Sequence, residues 1–437
     1  MEWWLVLLML FGTMVLFMLS GLPVAITFLL IDLLGSFVFL GRGAGPRQLI
    51  LNIEESLTSF SLLPVPLFVL MGEVMFHSKM GYKAMDVLDD WIGKIPGRLS
   101  LVAVMSGTLF STMSGSTVAT TAMMGSLLVP EMERRGYKKC MSIGPIMGSG
   151  GLSMLIPPSA LAVLLAALCQ ISVGRLLMAG VLPGLLIASF YTGYVVLRCW
   201  LQPEVAPPYE PSAVPLSTKL KKTAIYVLPL ASIVFLVVGL IFLGVATPSE
   251  AAALGALGTI VLSAAYGNFS LVMLKESFFG AVKVTAMMFM IILASMTFSQ
   301  ILAFSGASEG LINFVVQLDI PPLALLICMQ IVLLFLGCFM DNLSMVMIAI
   351  PIYLPIIKTL GFDPIWFALL MLINMEMANT TPPFGLLLFV MKGVAPPDTT
   401  MADIYKAGFP FLLCDAIAMI LVIIFPSIAL YLPNIMR

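Results

Sequence analysis

Charge is scarce in this chain. Asp, Glu, Lys and Arg supply only 10% of its 437 residues, against 61% apolar residues, and a soluble domain carries about a quarter charged side chains. Soluble one- or two-domain folds are therefore excluded, and an all-α polytopic membrane protein is expected. The longest polar stretch, near Leu201 to Lys222, is too short for a soluble catalytic domain. A net charge of -1 argues against a nucleic-acid partner. Cysteines are few and scattered (Cys140, Cys169, Cys199, Cys328, Cys338, Cys414), with no paired spacing, which supports neither a disulfide framework nor a zinc site. There is no Walker loop, no His-Glu-x-x-His and no nucleophile elbow, so an enzyme is not expected and energy must come from a gradient or a partner. The single histidine, His77, has no second histidine beside it and is expected at the interface, without a partner acid. The start lacks a basic segment and a small-residue cleavage pattern, so residues 3-19 read as a retained span.

What is abundant is long apolar runs. Ten are long enough to cross a bilayer, near 3-19, 23-41, 61-77, 141-170, 174-200, 223-244, 250-266, 280-303, 364-392 and 408-434. Two more, 99-130 and 322-357, are interrupted by Ser114-Gly115-Ser116-Thr117 and by Asp341-Asn342. Each of the two is either a pair of full spans or one re-entrant hairpin. Halves of about 15 residues, roughly 22 Å of helix, favour the hairpin.

Sliding the chain by 225 residues superposes Pro23 on Pro248, Pro96 on Pro321, Pro130 on Pro355, Pro157 on Pro382 and Pro158 on Pro383. Chance leaves about one such coincidence for 29 prolines in 437 residues. The same register places Ser116 on Asp341 and the Met154–Pro158 break on Asn379–Pro383. The expected organisation is thus 1-212 as a first repeat (scaffold spans 3-77, inner hairpin 99-130, broken span 141-170, span 174-200) and 213-437 as a second (scaffold spans 223-303, outer hairpin 322-357, broken span 364-392, span 408-434). Five spans plus one hairpin per repeat make the second copy inverted. With both termini periplasmic, sixteen Lys and Arg fall inside and only Arg42, Arg47, Arg175, Lys358 and Arg437 outside. Segments 47-58, 84-93, 272-282 and 309-318 mix apolar and polar residues as interfacial arm helices do, and equally as amphipathic loops do.

Opened backbone at membrane depth must face protein or a wet cavity, which directs attention to the two tips and the two breaks. Ser114, Gly115 and Ser116 with the carbonyls of Gly150 and Gly151 offer one oxygen cage for a hard cation such as sodium. Gly337 and Asp341 with Asn379, Thr380 and Thr381 offer another. Helix N-termini at the tips would attract a carboxylate, with Ser116, Thr117, Ser153, Asn342 and Thr381 as the substrate-binding candidates. Asp341 either meets an ion or substrate directly or caps the helix after it. The other embedded acids are Asp32, Glu73, Glu376 and Asp415. Pairing near a helix end or with a partner subunit is expected for all but Glu376, which lies close to the break. Gly180 and Gly184 read as helix packing.

Ser114 to Thr121 (Ser-Gly-Ser-Thr-Val-Ala-Thr-Thr), Val129-Pro130-Glu131-Met132 with Gly136-Tyr137, Ile156-Pro157-Pro158-Ser159, and Asn379-Thr380-Thr381-Pro382-Pro383-Phe384-Gly385 together resemble the large membrane subunit of tripartite ATP-independent periplasmic (TRAP) transporters. The resemblance runs end to end. It implies an elevator-type fold similar to the divalent anion/sodium symporters and a place in the bacterial inner membrane. It also implies two partners, a small four-span membrane subunit and a periplasmic substrate-binding protein. The implied cargo is an organic acid, such as a C4-dicarboxylate or a sialic-acid-like anion, taken up with Na+. A stand-alone carboxylate symporter is the alternative, and a channel or a scaffold lies further off.

Overall fold

The computed structural model describes the chain except residues 1, 42, 94, 96, 208–213, 319 and 437. The expected boundary between the halves at 212/213, and Arg42, Lys94, Pro96 and Arg437, lie outside the described residues. Among those described, every regular element is helical.

In the first half α1 (Trp3–Leu19) and α2 (Val24–Phe39) are apolar rods, followed by amphipathic α3 (Ala44–Thr58). Pro64 opens α4 (Pro64–His77) at a position where its missing N–H costs nothing, and α5 (Met80–Trp91) is strongly amphipathic. The first hairpin is α6 (Arg98–Ser114) and α7 (Thr117–Arg134); the first broken span is α8 (Lys139–Gly151) and α9 (Ala160–Leu168); α10 (Val173–Leu201) closes the half. In the second half α11 (Leu216–Lys222) runs through a π turn at Thr223–Val227 into α12 (Leu228–Phe242). Then come α13 (Pro248–Ala265), α14 (Leu271–Phe304), α15 (Ala307–Gln317), the hairpin α16 (Pro322–Gly337) and α17 (Asn342–Thr359), the broken span α18 (Pro364–Thr380) and α19 (Leu386–Val394), α20 (Met401–Ile424) and α21 (Ser427–Ile435).

The starts of α6 to α9 recur in α16 to α19 within one residue of a 225-residue shift, and α7 and α17 coincide at both ends. Local chemistry explains the shared bounds. Pro364 follows the N-cap Asp363, whose carboxylate accepts from Ile365 N at 2.7 Å, while Ser116 and Asp341 cap α7 and α17.

Two departures from the expected spans have equally local causes. Segments 272-282 and 280-303 are one continuous helix of 34 residues, α14. The first half breaks before α4 at Pro64 and Pro66, whereas positions 225 residues on are Phe289 and Ile291, which leave the hydrogen-bond ladder intact. The expected span 408-434 is two helices. α20 starts early, at Met401, because Thr400 and Asp403 form a capping box, and it stops before Pro426. The other three linking segments are helical, in α3, α5 and α15.

Among the described residues seven helices are long and apolar enough to cross a membrane, with shorter apolar helices at Trp3–Met18, Val24–Phe39 and Pro322–Gly337. Two bodies pack within the chain. In the inner one, α8 and α18 are enclosed on every side, residues 365–380 of α18 all being buried, with α6, α10, α16 and α20 around them. The outer body comprises α1, α2, α4, α12, α13 and α14, and exposes Leu228, Phe235 and Leu243 of α12. The bodies meet where α4 touches α6 and α9, and where α14 touches α17. Gly180 and Gly184 seat the first break against α10: a Cβ at Gly180 would lie 2.1 Å from the Leu155 carbonyl oxygen.

Candidate substrate and ion site

At the first tip Gly115 ends α6 with φ +60°, a left-handed conformation that glycine adopts without cost. Ser116 is then extended and its hydroxyl accepts from Ala119 N at 3.2 Å. Ser114 Oγ lies 2.7 Å from Thr120 Oγ1 and accepts from Ser116 N at 3.3 Å. At the second tip Asp341 caps α17, accepting from Leu343 N at 3.1 Å, from Ser344 N at 3.2 Å and from the Ser344 hydroxyl. Of the two roles open to Asp341 in the sequence, the cap is formed.

The breaks behave alike. The Pro157–Pro158 and Pro382–Pro383 peptide bonds are both cis. Ser159 caps α9 by accepting from Ala162 N at 3.2 Å, and donates to Met154 O at 3.0 Å. Thr380 and Thr381 donate to Met377 O at 3.1 and 2.6 Å, which stops them from donating elsewhere but leaves oxygen lone pairs for a cation. The Gly150 carbonyl accepts from Ser111 Oγ at 3.0 Å, and that hydroxyl also reaches Ser149 O at 2.6 Å. Gly337 sits where α16 presses on α18, a notional Cβ falling 2.4 Å from Ala378 Cβ.

One cavity of about 280 Å³ brings the tips together. Ser114, Gly115, Ser116, Thr117 and Ser153 line it from the first half, and Asp341 and Asn342 from the second. The outer body contributes Phe68 and Glu73 of α4 and Met287 and Met288 of α14. Gly150, Gly151, Gly337, Asn379, Thr380 and Thr381 are not in its wall. Met154 joins the two sets: its sulfur lies 3.8 Å from Asn342 Nδ2 and 3.9 Å from Asn379 Nδ2. The Ser153 hydroxyl and the Asn342 side-chain amide oxygen are buried without a partner among the described residues, and buried polar atoms left so are suited to an occupant.

Several residues were outside the sequence-based set. Thr120 and Thr121 belong to the same serine- and threonine-rich run and could have been read with it; Ser111 lies one turn before Ser114 on α6. Thr121 Oγ1 is buried beside Gly150 and lacks a partner among the described residues. His77 does have a partner acid, correcting the expectation: its Nδ1 is 3.4 Å from Glu73 Oε2, one helical turn back. Asp415 accepts from the Tyr191 hydroxyl. Asp32 and Glu376, by contrast, are buried with both carboxylate oxygens unpartnered, so the pairing expected of Asp32 is not made within the described residues. The Glu376 carboxylate lies against Gly151, where any Cβ would come within 1.6 Å of it.

Residues 11–428 match the family model for the DctM component of the tripartite ATP-independent periplasmic transporter. The chain is 32% identical over 389 residues to the C4-dicarboxylate TRAP transporter large permease protein DctM of Pseudomonas aeruginosa, covering 89% of this chain and 90% of that one. It is 28% identical over 427 residues to the ectoine TRAP transporter large permease protein TeaC of Halomonas elongata, covering 97% and 98%. The crystal structure of the Alcanivorax borkumensis YdaH transporter shares the fold, with a TM-score of 0.62 at 15% identity over 88% of this chain and 89% of that one.

Proposed function

Because the chain belongs to the DctM family of TRAP transporter large permeases, we propose that this multi-pass membrane permease imports an organic acid in symport with Na+. Its place is the bacterial inner membrane, with both termini periplasmic. A small four-span membrane subunit and a periplasmic binding protein that delivers the substrate are its partners. The family is a transport family, so the chain is a permease and not an enzyme.

The observation that carries this reading is the meeting of both hairpin tips and the first break in one cavity whose Ser153 and Asn342 side-chain oxygens lack partners among the described residues. The N-termini of α7 and α17 open at the tips, and such ends favour a carboxylate, held here by Ser116, Thr117 and Asn342 with Thr381 beyond the wall. Oxygen-rich surroundings at Ser114–Ser116 with Gly150–Gly151, and at Gly337, Asp341 and Asn379–Thr381, suit sodium. Loaded, the inner body moves past the outer one, and two copies of opposite orientation supply the outward and inward poses.

Uptake into vesicles containing the complete transporter tests this. Asn379→Ala and Asp341→Ala should each weaken sodium-dependent uptake by about tenfold or more while the protein still inserts. Unchanged sodium dependence in both would sink the ion-site assignment.

A further inference from the structure

We infer that the carboxylate taken by this permease also bears a cationic nitrogen centre, which Glu73 receives. This rests on the reading that an organic acid occupies the cavity between the tips.

Among the described residues the cavity wall holds two carboxylates, Glu73 and Asp341, and neither lysine nor arginine. The two acids differ in what already surrounds them. Asp341 faces three donors at the start of α17, and the helix dipole favours a negative charge there. Glu73 stands on α4, with no helix start beneath it. Its carboxylate is fixed in place from two sides: Gly280 of α14 leaves it room, a Cβ there falling 2.5 Å from Oε2, and His77 Nδ1 approaches the same oxygen to 3.4 Å. Glu73 is nonetheless one of the residues that line the cavity.

A dianion entering this cavity would meet a like charge whose one basic neighbour, His77, stands outside the wall, in surroundings less polarisable than water. A zwitterion of the right length meets complementary charge at both ends. Its carboxylate lies at the α7 and α17 starts, where Ser116, Thr117 and Asn342 offer hydrogen bonds, and its cation lies toward Glu73. The same cavity wall also holds apolar, polarisable side chains of the outer body, Phe68, Met287 and Met288. Such a wall suits a delocalised or alkylated nitrogen cation better than a strongly hydrated primary ammonium.

Equilibrium binding to the permease assembled with its small membrane subunit in nanodiscs, in sodium and without the periplasmic protein, isolates this selectivity. Succinate serves as the dianionic probe; ectoine, with its amidinium, and glycine betaine serve as the zwitterionic ones. At least one zwitterion should bind about tenfold or more tightly than succinate. Glu73→Gln should narrow that ratio by about tenfold, weakening the zwitterion and strengthening succinate, while Glu73→Asp retains the preference. Size-exclusion profiles of the variants check that the complex is intact. Tighter binding of succinate, or a ratio indifferent to Glu73→Gln in an intact complex, overturns the inference while leaving organic-acid transport standing. If no probe binds, and no carboxylate enters vesicles containing the complete transporter with its binding protein, the transport reading falls and this one with it.

Discussion

At the first hairpin tip a hydroxyl, Ser116, caps the helix that follows; 225 residues later a carboxylate, Asp341, does the same for its counterpart. The first cap is neutral and needs no compensation. The second brings a charge into the membrane, where two backbone N–H groups, a hydroxyl and the helix start surround it. Their supports differ as well. The Ser114 carbonyl lies against Gly72 of α4, in the outer body, whereas the end of α16 lies against Ala378 of α18, in the inner body. The two tips share their helix bounds and differ in what each leans on, the first on α4 and the second on α18.

The largest effect should come from filling those two contacts. A Cβ at Gly72 would lie 2.1 Å from the Ser114 carbonyl oxygen, so Gly72→Ala should push the first tip away and cut vesicle uptake about tenfold or more with little change in melting temperature. Gly337→Ala strikes within the inner body instead and should lower stability by about 1–3 kcal/mol, read as a fall in melting temperature. Equal melting shifts from the two would erase the proposed difference in support.

Positions 151 and 376 are register equivalents, one a glycine and the other a buried acid. Gly151→Ala should therefore destabilise the inner body by about 1–3 kcal/mol through collision with Glu376. Glu376→Ala in the same chain should recover most of that loss, so a double-mutant thermal series reads the contact directly.

The caps come next. Ser116→Ala should cost about 0.5–2 kcal/mol, the usual worth of a helix cap, measured by thermal unfolding in detergent. Asp341→Ala should exceed it, because three donors lose their acceptor at once.

The smallest effect concerns the tie between Lys139, at the start of α8, and Asp398, before α20. Its length is 2.8 Å, and the hydrogen bond from Lys139 holds the Asp398 carboxyl below its ordinary range. A lowered folded value means that the tie contributes above the unfolded value and is lost as pH falls through the folded one. Lys139→Ala should thus lower the melting temperature slightly at neutral pH and low salt, and not at all in strong acid or about 1 M salt.

Much of this architecture is written in local sequence. Prolines, caps and tip residues act within a few positions of themselves, so the register read from Pro157–Pro158 and Pro382–Pro383 foretells where helices start. The register pairs Met154 with Asn379, but the contact of its sulfur with both Asn342 and Asn379, 188 and 225 positions away, lay beyond local reading. Glu73 was hidden for the same reason: its facing the cavity depends on how α4 crosses α14. The merging of two expected segments into α14 was legible, but in the absence of prolines at Phe289 and Ile291 rather than in any residue present.

That merged helix has a mechanical meaning. At 1.5 Å per residue its 34 residues span about 51 Å, more than the roughly 40–45 Å of an entire bilayer with its headgroups. Its counterpart, α3 and α4, is an elbow jointed around residues 59–63. The stiff helix α14 therefore packs along both arms of the elbow and also touches the second hairpin. One unbroken hydrogen-bond ladder fixes the direction of α14 from end to end, whereas the angle between α3 and α4 is set only by residues 59–63 and by their packing against it.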